Sequence, residues 1–196
     1  MDYITKDDSI IFSHLFNKEL DSELLKNYKK IIFSDYELNE TLFDRYENKN
    51  LNYIGSHFNQ PLSNSLDNLT NLQQLTLGYN FNQRLDIPFN IRILTLDCNN
   101  QYMIDYLPNS IEELNLGLNF NLKLNDLPSS IKKISFDVNS QYNLDLNCLP
   151  YFTEIIKLNE YYNKPIKNIP YGLKKLICSS NYKYINDFVN YEVETY

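Results

Sequence analysis

The sequence predicts a repeat solenoid, α/β or mainly β, of about eight units of about 20 residues, with a parallel sheet on its concave face. Three observations predict it. Paired apolar residues one apart recur at Leu75/Leu77, Leu94/Leu96, Leu114/Leu116, Ile134/Phe136, Ile156/Leu158 and Leu176/Cys178. The first members of these pairs stand 19, 20, 20, 22 and 20 residues apart. A proline lies six residues before all but the first of them, at Pro88, Pro108, Pro128, Pro150 and Pro170.

The elements follow in chain order. Residues 1–24 read as an N-terminal cap, with Ile10, Ile11, Phe12, Leu15 and Phe16 on a short helix opened by Asp8 or Ser9. Residues 25–188 form the solenoid. Its first two units are degenerate: Tyr28, Ile31, Phe33 and Tyr36 fit the frame, as do Leu51 and Tyr53 ahead of Gly55 to Leu62. Residues 189–196 close the array as a C-terminal cap or tail, since a solenoid needs both ends covered.

Each position of the unit L-P-x-x-I-x-x-L-x-L-x-x-N has a physical task. Leu-x-Leu has period two, so both side chains point to one side of a short strand. One such strand cannot bury its face alone, but strands stacked about 4.8 Å apart share a continuous core, giving an array roughly 40 Å long. Asn80, Asn99, Asn119, Asn139 and Asn181 end the strands, where their amides can satisfy turning backbone and form a ladder between units. Proline, lacking an N–H, suits the return segment. A unit this short predicts extended, polyproline-like or 3-10 segments on the convex side. The aromatics after the asparagines, Phe58, Phe81, Tyr102, Phe120, Tyr142, Tyr162 and Tyr182, predict a stacked spine.

The residues between and beside the core positions face the concave side. They include Ile93, Thr95 and Asp97; Glu113 and Asn115; Lys133, Ser135 and Asp137; Ile155 and Lys157; Lys175 and Ile177. This surface is the candidate partner-binding face, with Ile93, Ile155 and Ile177 as its apolar points. The same three residues also simply suit strands, being β-branched.

Other function classes find little support. The net charge of −7 disfavours nucleic acid and an anionic membrane surface as partners. The N-terminus lacks a basic region followed by an apolar run, and no stretch nears the roughly 18 apolar residues of a membrane span. Cys98, Cys148 and Cys178 form no C-x-x-C pair and read as reduced thiols, so a cytoplasmic location is expected. His14 and His57 are the only histidines and read as structural or surface residues. No phosphate loop or metal-ligand spacing occurs, so no catalytic, cofactor-binding or metal-binding residue is assigned. Asp97 and Asp137 would lie about 10 Å apart on one face, a spacing that repetition alone explains.

The L-x-x-L-x-L-x-x-N frame resembles the leucine-rich-repeat core. The stretches after the asparagines are closer still to a known pattern. Phe58-Asn59-Gln60-Pro61-Leu62, Phe81-Asn82-Gln83-Arg84-Leu85, Phe120-Asn121-Leu122-Lys123-Leu124 and Tyr162-Asn163-Lys164-Pro165-Ile166 lead to Ile87-Pro88, Leu127-Pro128 and Ile169-Pro170. Phe-Asn followed by Ile/Leu-Pro resembles the FNIP repeat of social amoebae and of giant viruses of amoebae. Asn99 to Tyr102 and Asn139 to Tyr142 depart from it, lacking Phe-Asn. The resemblance implies a non-enzymatic protein-interaction scaffold with a protein partner and no cofactor. Some family members carry an F-box, which would imply a substrate adaptor for a ubiquitin ligase, but residues 1–24 show no such pattern. A structural or decoy role follows if the chain is virus-encoded, acting then in the host cytoplasm.

Overall fold

A computed structural model describes residues 1–38 and 52–196. Among these residues, ten strands form one sheet in strict chain order. They are β1 (Tyr3–Lys6), β2 (Ser9–Phe12), β3 (Lys30–Phe33), β4 (Gln74–Leu77), β5 (Ile93–Leu96), β6 (Glu113–Leu116), β7 (Lys133–Phe136), β8 (Ile155–Lys157), β9 (Lys175–Cys178) and β10 (Glu192–Thr195). From β2 to β10 every pairing is parallel and in register, so Leu75, Leu94, Leu114, Ile134, Ile156 and Leu176 stack as one row. That row and its partners, Leu77, Leu96, Leu116, Phe136 and Leu158, lie in a single buried cluster running from Ile10 to Phe188. The molecule is thus a leucine-rich-repeat-like β-solenoid.

Two turns per unit set its shape. At the strand exit, the N–H of Phe81 donates to Gly78 O (3.1 Å), and Phe120 and Tyr182 repeat this to Gly117 O and Ser179 O (3.2 and 3.0 Å). Each turn swings an aromatic ring back under the sheet. At the strand entry, Ile91, Ile111, Ile131, Thr153 and Leu173 each donate to the carbonyl of the proline three residues earlier, at 3.1–3.2 Å. Proline offers an acceptor but no donor, so it begins these turns without leaving an orphan N–H.

The return side departs from the expectation of purely extended or 3-10 backbone. One-turn α-helices occur at α1 (Ser22–Leu25), α2 (Ser63–Leu66) and α3 (Gln101–Asp105), with a 3-10 turn at Ile185–Phe188. Asp21 caps α1 by accepting from Glu23 N–H at 2.9 Å.

The N-terminus differs too. The helix expected from Asp8 or Ser9 is instead an antiparallel hairpin, with Lys6 facing Ser9 and Tyr3 facing Phe12. Tyr3-Ile4-Thr5 and Ile10-Ile11-Phe12 are β-branched or aromatic and favour strands. Asp7, at φ 51°, makes the tight turn, a left-handed conformation that Asp tolerates. β2 is already a solenoid strand, and Phe16-Asn17 follows it as Phe81-Asn82 follows β4.

Among the described residues, the unit expected at Leu51 and Tyr53 adds no strand. β3 pairs directly with β4, and Tyr53 instead makes an isolated antiparallel bridge to Tyr36. Leu51 lies outside the described residues. The frame resumes at Ser56-His57-Phe58-Asn59. β10 pairs in parallel with β9, and Lys175 clamps it through Glu192 (2.8 Å) and Glu194 (2.6 Å).

Candidate interaction surfaces

The concave residues divide by side-chain length. Ile93, Glu113, Lys133, Ile155 and Lys175, first in their strands, are half-buried and form a rim, as do Lys157, Ile177 and Asp137 further on. Thr95, Asn115 and Ser135, at mid-strand, are buried, and so is Asp97. Strands about 4.8 Å apart let long side chains roof short ones. Glu113 does so, with Oε1 accepting from Asn115 Nδ2 (3.0 Å) and from Lys133 Nζ (3.1 Å). Of the twelve concave residues, these four present no open surface; the other eight do.

Asp97 does not pair with Asp137. It meets Asp35, two strands away on the other side, across Gly78. Asp35 Oδ1 accepts from Ser56 N–H (2.6 Å) and Tyr79 N–H (2.8 Å). A side chain at Gly78 would put its Cβ 2.4 Å from Ser56 Cβ and 2.9 Å from Asp35 Oδ1. At Gly117, a Cβ would sit 1.2 Å from Asp97 Oδ1. The two glycines make room for the two carboxyls. Burial, then the Asp97 charge, push the Asp35 carboxyl up to about 8. Burial and the same two aspartates raise the Tyr53 phenol well above its ordinary value. Both aspartates are fully buried, so this cluster is part of the framework rather than a surface that meets a ligand.

The thiols and imidazoles form no reactive pair. Burial, then Asp97, push the Cys98 thiol up to about 12, which keeps it protonated and inert. Cys178 is buried and Cys148 exposed. His14 and His57 occupy adjacent turns, joined by His57 N–H donating to His14 O (2.7 Å). Among the described residues no group of three or more His, Cys, Asp or Glu could hold a metal ion, and no helix is long and apolar enough to cross a membrane.

The aromatic spine is real but interrupted. Phe16–Phe58 and Phe58–Phe81 stack at 6.0 and 6.1 Å, Phe120–Tyr142 at 6.0 Å, and Tyr162–Tyr182 tilt at 6.0 Å. Tyr102 leaves it. Where Phe-Asn is missing, α3 turns Met103 and Ile104 inward instead. Tyr102 lies outside, its hydroxyl donating to Asp86 Oδ1 (2.6 Å) under the Arg84 guanidinium (4.5 Å).

The asparagine ladder also runs on a different row from the one expected. Most of it is carried by the Asn of Phe-Asn, whose side-chain oxygen accepts the backbone N–H of the next unit. Asn17 accepts from Asn59 (2.9 Å), Asn59 from Asn82 (2.9 Å) and Asn143 from Asn163 (3.1 Å). Among the strand-end asparagines, Asn99 accepts from Asn121 N–H (2.6 Å) and donates to Asn119 O (2.9 Å).

One surface was missed in the sequence. Between proline and the core residue, the unit reads Tyr151-Phe152 and Tyr171-Gly172. These turn tips are 57%, 51% and 77% exposed for Tyr151, Phe152 and Tyr171. Tyr151 and Tyr171 stack at 5.0 Å and 7°, Phe152 meets Tyr151 edge-on at 5.0 Å, and Lys132 Nζ lies 5.3 Å from the Phe152 ring. Gly172 permits this alignment, since a Cβ there would come within 3.0 Å of the Phe152 backbone. Its N–H donates to Tyr151 O (3.0 Å). The available signal was that both residues occupy the x-x of P-x-x-I, the tip of a surface turn.

Comparison with known proteins agrees with this geometry. The FNIP repeat family model matches residues 81–119. No curated protein is significantly similar in sequence. Among solved structures, CroV588, described as a novel circular LRR protein, superposes with a TM-score of 0.52 at 20% identity. The match covers 93% of this chain and 38% of that one, so the present chain spans well under half its length. At that identity the likeness speaks for the fold alone. Over residues 81–119 the chain is thus similar to the FNIP repeat family, and its fold is that of a leucine-rich-repeat-like solenoid.

Proposed function

We propose that this protein is a non-enzymatic scaffold that docks a protein partner through its strand-entry edge, at Tyr151, Phe152 and Tyr171, next to the rim of the concave face. Solenoids of this kind generally present extended surfaces to other proteins. The observation that carries the reading is the exposed aromatic cluster. Aromatic residues dominate the energetic centres of protein interfaces, and three large rings more than half exposed, with Tyr151 touching the other two, are unusual on a free surface. Lys132 and the Lys174–Glu154 pair (2.6 Å) supply a polar border. The half-exposed residues Lys133, Ile155, Lys157, Lys175 and Ile177 extend the contact onto the concave side.

Affinity capture from the native host, comparing the wild type with a Tyr151→Ser/Tyr171→Ser variant, tests this reading. A defined set of proteins should be recovered by the wild type and lost by the variant, with unchanged far-UV circular dichroism. Equal recovery by both would place the contact elsewhere.

A further inference from the structure

The irregular unit after β5 leaves a second feature on the opposite, strand-exit edge. α3 replaces the Phe-Asn pair there, and the next unit meets this rung through Asn100 Nδ2, which donates to Gln83 O (2.9 Å), with no backbone N–H on the Asn82 side chain. A depression of about 400 Å³ lies at this edge, lined by Asn59, Tyr79, Asn80, Phe81, Asn82 and Asn99. That volume falls within the range of small-molecule sites, about 300–1,000 Å³.

The lining is four amides and two aromatic residues, with no ionisable acid or base other than the Tyr79 phenol. Parts of these amides are committed to the ladder. Asn59 Oδ1 accepts from Asn82 N–H (2.9 Å) and Gln83 Nε2 (3.2 Å), and Asn80 Nδ2 donates to Ser56 O (2.6 Å). Among the described residues nothing bonds Asn59 Nδ2, Asn80 Oδ1 or either end of the Asn82 amide. The free groups around the hollow therefore include both donors and acceptors. Beside them stands Tyr79, 45% exposed, its ring seated against Gly55 (3.5 Å from an added Cβ) and met edge-on by Tyr53 at 6.3 Å. Gly55, at φ +95°, supplies the backbone conformation on which the ring rests.

We infer that this depression binds a neutral saccharide, with a sugar ring against the free side of Tyr79 and its hydroxyls on Asn59, Asn80 and Asn82. The chemistry excludes the alternatives in turn. A charged ligand would meet no countercharge among the lining groups, and an apolar one would strip water from the amides of Asn59, Asn80 and Asn82 without replacing their hydrogen bonds. A hydroxyl both donates and accepts, matching amides that offer both. The polarised C–H groups of a sugar ring suit the negative face of an aromatic ring. The site shares no lining residue with the aromatic edge, so it stands or falls independently of the protein-docking reading.

Saturation-transfer NMR on the full chain tests it. The probes are the methyl glycosides of glucose, galactose, mannose and N-acetylglucosamine, with cellobiose, and with sialic acid and glucose phosphate as charged comparisons, each at millimolar concentration. Saturation transfer to at least one neutral sugar is expected. Tyr79→Ala should weaken that binding by about tenfold or more, the loss of an aromatic contact. Tyr79→Phe should retain it. Asn82→Ala, which keeps the backbone bond to Asn59, should weaken binding several-fold without moving the melting temperature. Absence of transfer to every neutral sugar, transfer undiminished in both Tyr79→Ala and Asn82→Ala, or stronger transfer to the charged sugars would overturn the assignment.

Discussion

Replacing Asp35 with Asn should stabilise the protein at neutral and alkaline pH and flatten its pH dependence. In the fold, burial and Asp97 hold the Asp35 carboxyl at about 8; in an unfolded chain it titrates near about 4. Because the folded-state value is the higher, its contribution is fully present below about pH 4 and is lost as pH rises towards about 8. Over that window the folded chain holds a proton that the unfolded chain has released, at a cost of about 1.4 kcal/mol for every step of one in pH. Between about pH 5 and about pH 8 the site therefore withdraws up to about 4 kcal/mol. For a chain of this size that is a fall in Tm of about 8–16 °C. An asparagine at this position is uncharged at every pH. Its oxygen can keep the bonds from Ser56 and Tyr79 N–H, and its amide can donate towards Asp97. Differential scanning calorimetry of both proteins across this range is the assay. Near parity is expected below about pH 4, and between about pH 5 and about pH 8 the variant should gain on the wild type by up to the same 4 kcal/mol. A variant with the wild-type pH slope, or one less stable at the alkaline end, would refute the coupling of the two carboxyls.

Two further outcomes follow from the same geometry. Gly117→Ala places a Cβ 1.2 Å from Asp97 Oδ1, and urea denaturation should register a loss of about 3 kcal/mol or more, because a buried carboxyl must move. A thiol-reactive dye at mildly alkaline pH should label Cys148 rapidly and leave the buried Cys98 and Cys178 unmodified until the chain is denatured.

Much of this structure was legible from residues that recur. Leu114 and Leu116, Ile134 and Phe136, or Pro108 and Pro128 meet the same surroundings in every turn, so their period alone announces strand, core and return. Phe81, Phe120 and Tyr162 could be assigned to a spine for the same reason. The concave face was read less well. Alternation turns Thr95, Asn115 and Ser135 away from the main core, yet it says nothing of the longer neighbours that cover them. Glu113 reaches over Asn115 because strand stacking brings Lys133 alongside it.

What the sequence by itself determined is the repeated unit: strand, two turns, buried aromatic and proline, stacked into a parallel sheet. That much is local chemistry repeated, and a period of about 20 residues exposes it. Only the tertiary structure decided what lies between unlike units. It joined Asp35 to Asp97 over Gly78, removed Tyr53 from the sheet, set Met103 in the slot of Tyr102 and aligned Tyr151 with Tyr171 over Gly172. The physical reason is that each contact joins residues from different turns. Their proximity depends on stacking order and on which neighbour lacks a side chain, quantities that no single unit encodes.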